Sequence, residues 1–546
     1  MNCWRPNVAN AHRETQVRVT VQWLPPQITQ EILSFLDDAN DACAFLTAMP
    51  EEALDDALDA LRSILGLSFC LSLWPVAHGR ELNLPFNREQ RYPWYDEFRS
   101  IMRRALPAFP RIDVVYDVNH PVIYEICHAT MLRPTTSVHA EVDHDVGRVR
   151  AAFGNWTTSI THLTILSESF LNYNDVVEDE LLACPRLRAL TMEQFDANSH
   201  FGHALAVVIT ASPRLERLSL RSYFKSVMAD GTNLLAWLAR PSARHLHLER
   251  IVFDAELGTA LARAMLTSKT LNTIELVDTP YLAHGVMSPS LPPLPRQLRH
   301  LTMHFDKSAD VNSDLPWTFG DADAWALATK IVLSNLTTFK LRLQNRCDVT
   351  PVMTALDLIP TLTTLALETV HVSAFPHLVQ LWRLELLAVT YSENAIASLA
   401  TLLHAFPKLT HLDLGQQQLP YHQALSIFRA LPLWLSHRGT ACEVHLGIES
   451  DAHANAFATA LVQMRNTHKI TLTVLNGGLS LKAHQYIVAA LGLTSRMGLR
   501  FSPMAGYLSA DEKVTLATYS KLHRVQISKR KRRDYTETWY LSPSAS

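Results

Sequence analysis

A six-residue pattern, Leu-x-x-Leu-x-Leu, returns through the C-terminal two-thirds of this 546-residue chain at an interval of about 27 residues. A fixed period of about 20 to 29 residues marks a solenoid, because one short unit cannot bury its own apolar face and copies must stack. The period is set by LRALTM from Leu187, LERLSL from Leu215, ARHLHL from Ala243, LNTIEL from Leu271 and LRHLTM from Leu298. It continues more loosely as LTTFKL from Leu336, LTTLAL from Leu362, LELLAV from Leu384, LTHLDL from Leu409, CEVHL closing on Leu446 and LHRVQI from Leu522. Weaker copies are ITHLTI from Ile160, ITLTV ending at Val474 and MGLRF ending at Phe501.

Each copy follows a helix-like stretch. In ALAVVITASPRLERLSL the apolar residues Leu205, Val208 and Ile209 have helical spacing, Ser212-Pro213 stops the helix, and Leu218 and Leu220 alternate as in a strand. Pro360 and Pro407 stop two further helices in the same way. The unit is therefore helix, tight turn, strand, and stacked copies place a parallel sheet on one side and helices on the other.

On these motifs the chain resembles the leucine-rich repeat family, with the period of its ribonuclease-inhibitor-like and cysteine-containing subclasses, over residues 156–528. The resemblance implies an α/β horseshoe solenoid with a concave parallel sheet and convex helices. One departure stands out. The family usually places Asn or Cys three residues after the last strand leucine, where this chain has Phe195, Tyr223, Ile251, Thr279 and Gln417.

Residues 21–66 read differently. Ile28, Ile32, Phe35 and Leu36 fall on one helical face, Pro25-Pro26 suits a helix start, and Asp41 can cap a second helix carrying Phe45 and Leu46. A third helix is expected from Leu54, Leu58, Leu61 and Leu65, with Gly66 as its C-cap. This all-α module resembles the F-box on Leu24, Pro25, Ile28, Ile32, Phe35, Leu36 and Asp41, although the usual Cys-Lys/Arg-Trp stretch is replaced by Met49-Pro50-Glu51-Glu52. The resemblance implies that these residues dock on a Skp-type adaptor of a cullin-RING ubiquitin ligase. A helical cap shielding the first repeat is the alternative. Residues 1–20 form an N-terminal arm, and residues 67–155 form a transition in which Arg111 to Tyr116 offers an early degenerate repeat.

With 49 Lys and Arg against 52 Asp and Glu, no overall field points to nucleic acid or a membrane, so partner choice must be local. Seven scattered Cys without a Cys-x-x-Cys pair suit free thiols in a reducing compartment. No apolar run approaches the roughly 20 residues of a membrane span, and the expected location is cytoplasmic or nuclear. The run Lys529-Arg530-Lys531-Arg532-Arg533 opens an expected flexible basic tail, 529–546, and is either a nuclear-import candidate or a solvated end cap.

No phosphate-binding loop, zinc-protease or nucleophile-elbow motif occurs, and neither an enzyme nor a cofactor or metal is expected. A hydrolase or metal site built on His139, Glu141, Asp143, His144 and Asp145 is a weaker possibility than solvated loop residues. Strand alternation exposes the third, fifth and seventh positions of each repeat to a partner. These include His162, Arg217, Arg221, His245, His247, Glu249, Glu275, His300, His304, Lys340, Arg342, Glu368, His411, Asp413, Glu443, His445, Arg500 and Arg524. With 25 His in the chain, about two would fall by chance on the forty-two such positions, and seven do. The set suggests a pH-sensitive or metal-tolerant patch for an anionic or aromatic segment, against the plainer reading that His serves as a polar strand residue. The expected function is a non-catalytic receptor, the substrate-binding subunit of a ubiquitin ligase. A leucine-rich-repeat scaffold or inhibitor without a ligase link is the alternative.

Overall fold

A computed structural model describes residues 24–67, 74–78, 94–116, 126–142, 153–166, 184–193, 209–228, 230–305, 318–405, 408–415, 419–436, 441–464, 470–476, 478–494, 497–502, 508–531 and 537–543. The expected N-terminal arm, Phe195, Gln417, Asp143, His144, Asp145, Arg532 and Arg533 lie outside the described residues. The chain divides into two units, residues 1–141 with 149–160, and residues 142–148 with 161–546.

The first unit holds α1 (Pro26–Leu33), α2 (Ala39–Ala48), α3 (Asp56–Leu65), β1 (Val76–His78), α4 (Trp94–Ala105), β2 (Arg111–Tyr116) and β3 (Ser137–Val142). The three N-terminal helices form where expected, with shifted caps. Asp38 rather than Asp41 caps α2, accepting from the Asn40 amide at 2.7 Å, because its extended backbone aims the carboxylate at the first turn. Asp55 caps α3 through the Leu58 amide at 2.9 Å, which leaves Leu54 outside that helix. Strands β1 and β2 pair in parallel, so the expected strand at Arg111 to Tyr116 is present.

The second unit repeats one unit of structure. Its strands are β4 (Ile160–Ile165), β5 (Ala189–Glu193), β6 (Arg217–Val227), β7 (His245–Val252), β8 (Thr273–Val277), β9 (His300–His304), β10 (Thr338–Arg342), β11 (Thr364–Glu368), β12 (His371–Val372), β13 (Arg383–Leu387), β14 (Thr390–Tyr391), β15 (His411–Leu414), β16 (Cys442–Ile448), β17 (Ile470–Asn476), β18 (Met497–Ser502), β19 (Val525–Lys531) and β20 (Glu537–Pro543). The helices are α5 (Thr232–Leu238), α6 (Ala255–Thr267), α7 (Pro280–Met287), α8 (Asp321–Ile331), α9 (Thr350–Asp357), α10 (Glu393–Ala405), α11 (Tyr421–Ser436), α12 (Asp451–Gln463), α13 (Leu481–Gly492) and α14 (Ala510–Leu522). From β4 to β18 the main strands pair in parallel, each with the next repeat, and β12 pairs separately with β14. Helices of neighbouring repeats pack side by side, so the layers are sheet and helix with the leucines between.

Strand leucines make that core. Leu246, Leu248, Ile274, Leu276, Leu301, Met303, Phe339 and Leu341 are all buried, and each repeat's pair stacks on the next. The missing Asn or Cys at the corner is replaced by an apolar or small buried residue preceded by a left-handed one. Arg250, Asp278, Thr369 and Ala388 have φ between 50° and 57°, and the next residues, Ile251, Thr279, Val370 and Val389, are buried. The left-handed residue turns the chain sharply although none is glycine, a conformation that costs on the order of 1 kcal/mol each and persists where packing holds it. Backbone donors cross between repeats at the corner: the Asp278 amide reaches the His304 carbonyl at 2.8 Å, and the Thr369 amide reaches Leu387 at 3.0 Å.

Three expectations need correction. The repeat assigned to LELLAV from Leu384 begins at Leu381, because Arg383 pairs with Thr364 and His411, which makes Arg383 and Glu385 the outward residues. The repeat expected at LHRVQI forms the strand β19, yet it does not pair with β18. Strand β20 lies between them, antiparallel to both, with Leu541 opposite Leu499 and Ile527. Finally, the expected flexible tail is ordered at its start. Lys529, Arg530 and Lys531 belong to β19, where Lys529 sits 4.3 Å over the buried Trp539 ring.

One buried cation is structural. Lys330 on α8 is 4% exposed and donates to the carbonyls of Leu291 and Pro292, the latter at 3.0 Å, fastening the irregular chain before β9. Lys330→Ala strands those carbonyls without a donor, and a loss of about 2 kcal/mol is expected in denaturant unfolding.

Candidate functional site

Two surfaces offer recognition chemistry. The first is α1 with the residues that flank it, where apolar side chains reach water. Its buried side carries Thr29, Gln30 and Leu33, while Leu24, Ile28 and Phe35 are 41%, 42% and 83% exposed and Ile32 and Leu36 are half-buried. Pro25 stands at the N-cap and is exposed.

Polar anchors hold the helix in that orientation. Gln30 donates to the Pro107 carbonyl at 3.2 Å and accepts from the Arg133 guanidinium at 2.8 Å, while Arg133 also grips Asp55. The Trp74 indole donates to the Leu36 carbonyl at 2.7 Å, fixing the chain just past the helix. An amphipathic helix normally buries its apolar stripe. Here Gln30 is satisfied inside while Ile28, and Leu24 and Phe35 on either side of the helix, meet water, which costs roughly 25 cal/mol per Å² of apolar surface left uncovered.

The second surface is the outer face of the repeat sheet. Alternation places Arg217 and Arg221 on β6, His245, His247 and Glu249 on β7, Glu275 on β8, His300 and His304 on β9, Lys340 and Arg342 on β10, His411 and Asp413 on β15, and Glu443 and His445 on β16. The residues expected from sequence thus share one face. Arg524 is the exception, since it occupies a left-handed turn before β19. Glu193, Arg383 and Glu385 also belong to the face. Glu193 is simply the seventh position of its repeat, and the other two needed the repeat to be phased on Leu381.

These side chains form networks. Arg221 lies 2.8 Å from Glu193 and 3.9 Å from Glu249. His247 contacts Glu275 through Nδ1 at 3.2 Å and Glu249 through Nε2 at 3.6 Å, and His245 reaches the other Glu275 oxygen at 3.6 Å. Burial opposes protonation of His247, but Glu249 and Glu275 outweigh it and hold its pKa above the usual value. Burial dominates at His245 and His300 and keeps both below theirs.

A second network joins β15 and β16. His445 bridges Asp413 through Nδ1 and Glu443 through Nε2, each at 2.9 Å, and His411 lies 3.4 Å from Glu443. Its hydrogen bond with Asp413, added to that with Glu443, raises the His445 pKa, while burial lowers that of His411. A histidine with a raised folded pKa contributes stability that is complete below its unfolded value near 6.5 and fades as pH climbs through the folded value. Asp413→Asn removes the chief cause, so the His445 ring should titrate at lower pH by NMR. The same variant should lose less stability than the parent between pH 6.5 and 8.

Among the described residues no group of three or more His, Cys, Asp and Glu is placed to hold a metal. His139 and Glu141 do share the outward side of β3, with His139 3.6 Å from Asp113. A Ser–His–Asp grouping near β12 is not a catalytic triad. Ser373 touches both His371 Nε2 at 3.3 Å and Asp348 at 3.5 Å, while the other imidazole nitrogen meets Thr390 instead of a carboxylate. Among the described residues no helix is long and apolar enough to cross a membrane.

No protein-family model matches the chain, and no curated protein matches it. Among solved structures it is similar to the leucine-rich repeat-containing protein LegL7 from Legionella pneumophila, at 10% identity over 75% of this chain and 98% of that one, with a TM-score of 0.21. So low a score carries nothing about activity or partners, and the repeat fold stands on the strands and helices described above.

Proposed function

We propose that this chain is a non-catalytic recognition receptor whose N-terminal helices dock on a Skp-type adaptor of a cullin-RING ubiquitin ligase and whose repeat sheet holds a protein substrate. The observation that carries the adaptor half is the exposure of three apolar residues in and around α1, Phe35 at 83%, Ile28 at 42% and Leu24 at 41%. A partner with a matching apolar groove would cover these residues, in the manner of helix-in-groove recognition. Support for the substrate half is the sheet face itself, a run of outward polar and charged side chains that suits many moderate contacts along an extended partner.

The rival is a scaffold whose N-terminal helices only complete the core. It accounts for the bonds joining Gln30, Arg133 and Asp55, but it gives no reason for apolar residues on the outside of α1. The test is co-purification of the full-length chain with purified Skp-type adaptor, repeated with Leu24→Ala plus Ile32→Asp. Capture by the parent and loss in the variant supports the ligase reading. Equal behaviour of the two, captured or not, sinks it.

A further inference from the structure

Charge on the sheet face is unevenly satisfied. Every carboxylate at the outward positions from β5 to β16 has a cationic or imidazole partner: Glu193 with Arg221, Glu249 and Glu275 with His247, Glu368 with Arg342 at 3.2 Å, Glu385 with Arg383, and Asp413 and Glu443 with His445. The cations are not all so engaged. Arg217 and Lys340 form no ion pair among the described residues, and both are exposed. Arg500 turns its guanidinium toward the Tyr540 ring, 5.7 Å from its centre.

Lys340 differs from Arg217 in its surroundings. Its register partners are Thr302 on β9 and Ala366 on β11, both short, so the lysine stem rises from a depression of about 190 Å³. The depression's edges carry His304, Arg342, Glu368 and Glu385. The two carboxylates there are already held by Arg342 and Arg383, leaving the Lys340 ammonium as the uncompensated charge. Elsewhere on the face the same row is filled by His247, Glu275, Asp413 and His445 in mutual contact.

We propose that the face over β9, β10 and β11 is the seat of a carboxylate-rich extended segment of the partner protein, with one acidic side chain on the Lys340 ammonium and its backbone across the space above Thr302 and Ala366. This rests on the reading of the sheet as the partner-binding face and adds the partner's chemistry and its position. Charge complementarity selects the acidic partner: a basic segment would meet an unpaired ammonium and find no unpaired carboxylate to compensate.

The test uses the full-length protein and three fluorescein-labelled twelve-residue peptides on one Ala/Ser framework, carrying four Glu, four Gln or four Lys, read by anisotropy at low and physiological salt. The Glu peptide should bind, weaken with salt, and lose about tenfold in affinity with Lys340→Glu. Arg263→Glu, the same charge change on the exposed side of helix α6 and off the sheet face, should alter binding less than about twofold at physiological salt, since exposed charges beyond a Debye length are screened. Loss that is equal for the two variants, or a Glu peptide indifferent to Lys340→Glu, overturns the assignment. Binding of the Gln or Lys peptide in place of the Glu peptide overturns it too, while leaving the sheet as a partner face. No binding by any peptide counts against both.

Discussion

Ile28→Asp combined with Phe35→Asp is expected to abolish adaptor capture while costing the free chain no more than about 1 kcal/mol in thermal unfolding. Phe35 is 83% exposed and Ile28 42%, so in the free protein only the covered part of Ile28 is lost to packing. In the docked state the same carboxylates would be forced into an apolar groove without partners, at a cost of several kcal/mol each. That is more than enough to move a complex of ordinary affinity out of reach of co-purification. The opposite pattern separates the rival: if α1 is merely a cap, the double variant behaves like the parent in every assay. Substitution on the other side of the helix gives the complementary control. Gln30→Leu should destabilise the first unit, because it leaves Arg133 and the Pro107 carbonyl short of a partner.

The second large effect concerns two adjacent residues on β8. Leu276→Asp should cost at least about 4 kcal/mol and disrupt the repeats on either side, since Leu276 is fully buried between Leu248 and Met303 and a carboxylate there has no hydrogen-bond partner. Glu275→Leu, one residue earlier, should cost far less, because that side chain lies on the outer face against His245 and His247. Its signature is elsewhere: the His247 pKa should fall as one of its two acidic partners disappears. Urea unfolding of the two variants, followed by helical signal, checks the contrast. Comparable destabilisation by both would mean that the assignment of inward and outward positions is wrong.

Leu218, Leu246 and Ile274 recur at a constant interval, and a constant interval plus strict alternation is enough to place both the core and the outward rows. The same alternation puts Arg221, His245, His247 and Glu275 on neighbouring outward positions, since adjacent repeats align position by position. What the local pattern could not carry was information held in long-range contacts. Strand β20, at the C-terminal end, enters between β18 and β19 because Trp539 and Leu541 complete the core there, and nothing in the residues around 540 says which strands they will separate. The phase of the repeat at Leu381 was hidden by its own sequence. In LWRLELLAV, leucines at 381, 384, 386 and 387 fit two registers, and only pairing with β11 and β15 chooses.

The N-terminal module shows the limit from the other side. The apolar spacing of Ile28, Ile32 and Phe35 is legible, but periodicity normally assigns such a stripe to the interior. That it faces outward follows from the bonds of Gln30 to Pro107 and to Arg133, which span 77 and 103 positions and which no local reading predicts.

Hydrogen–deuterium exchange of the full-length chain, with and without a saturating Skp-type adaptor, tests the central claim most directly. The account predicts slowed exchange concentrated in residues 24–48, covering α1 and α2, with the repeat strands unchanged. Uniform exchange across the first unit in the presence of adaptor, or protection confined to the repeats, would contradict it.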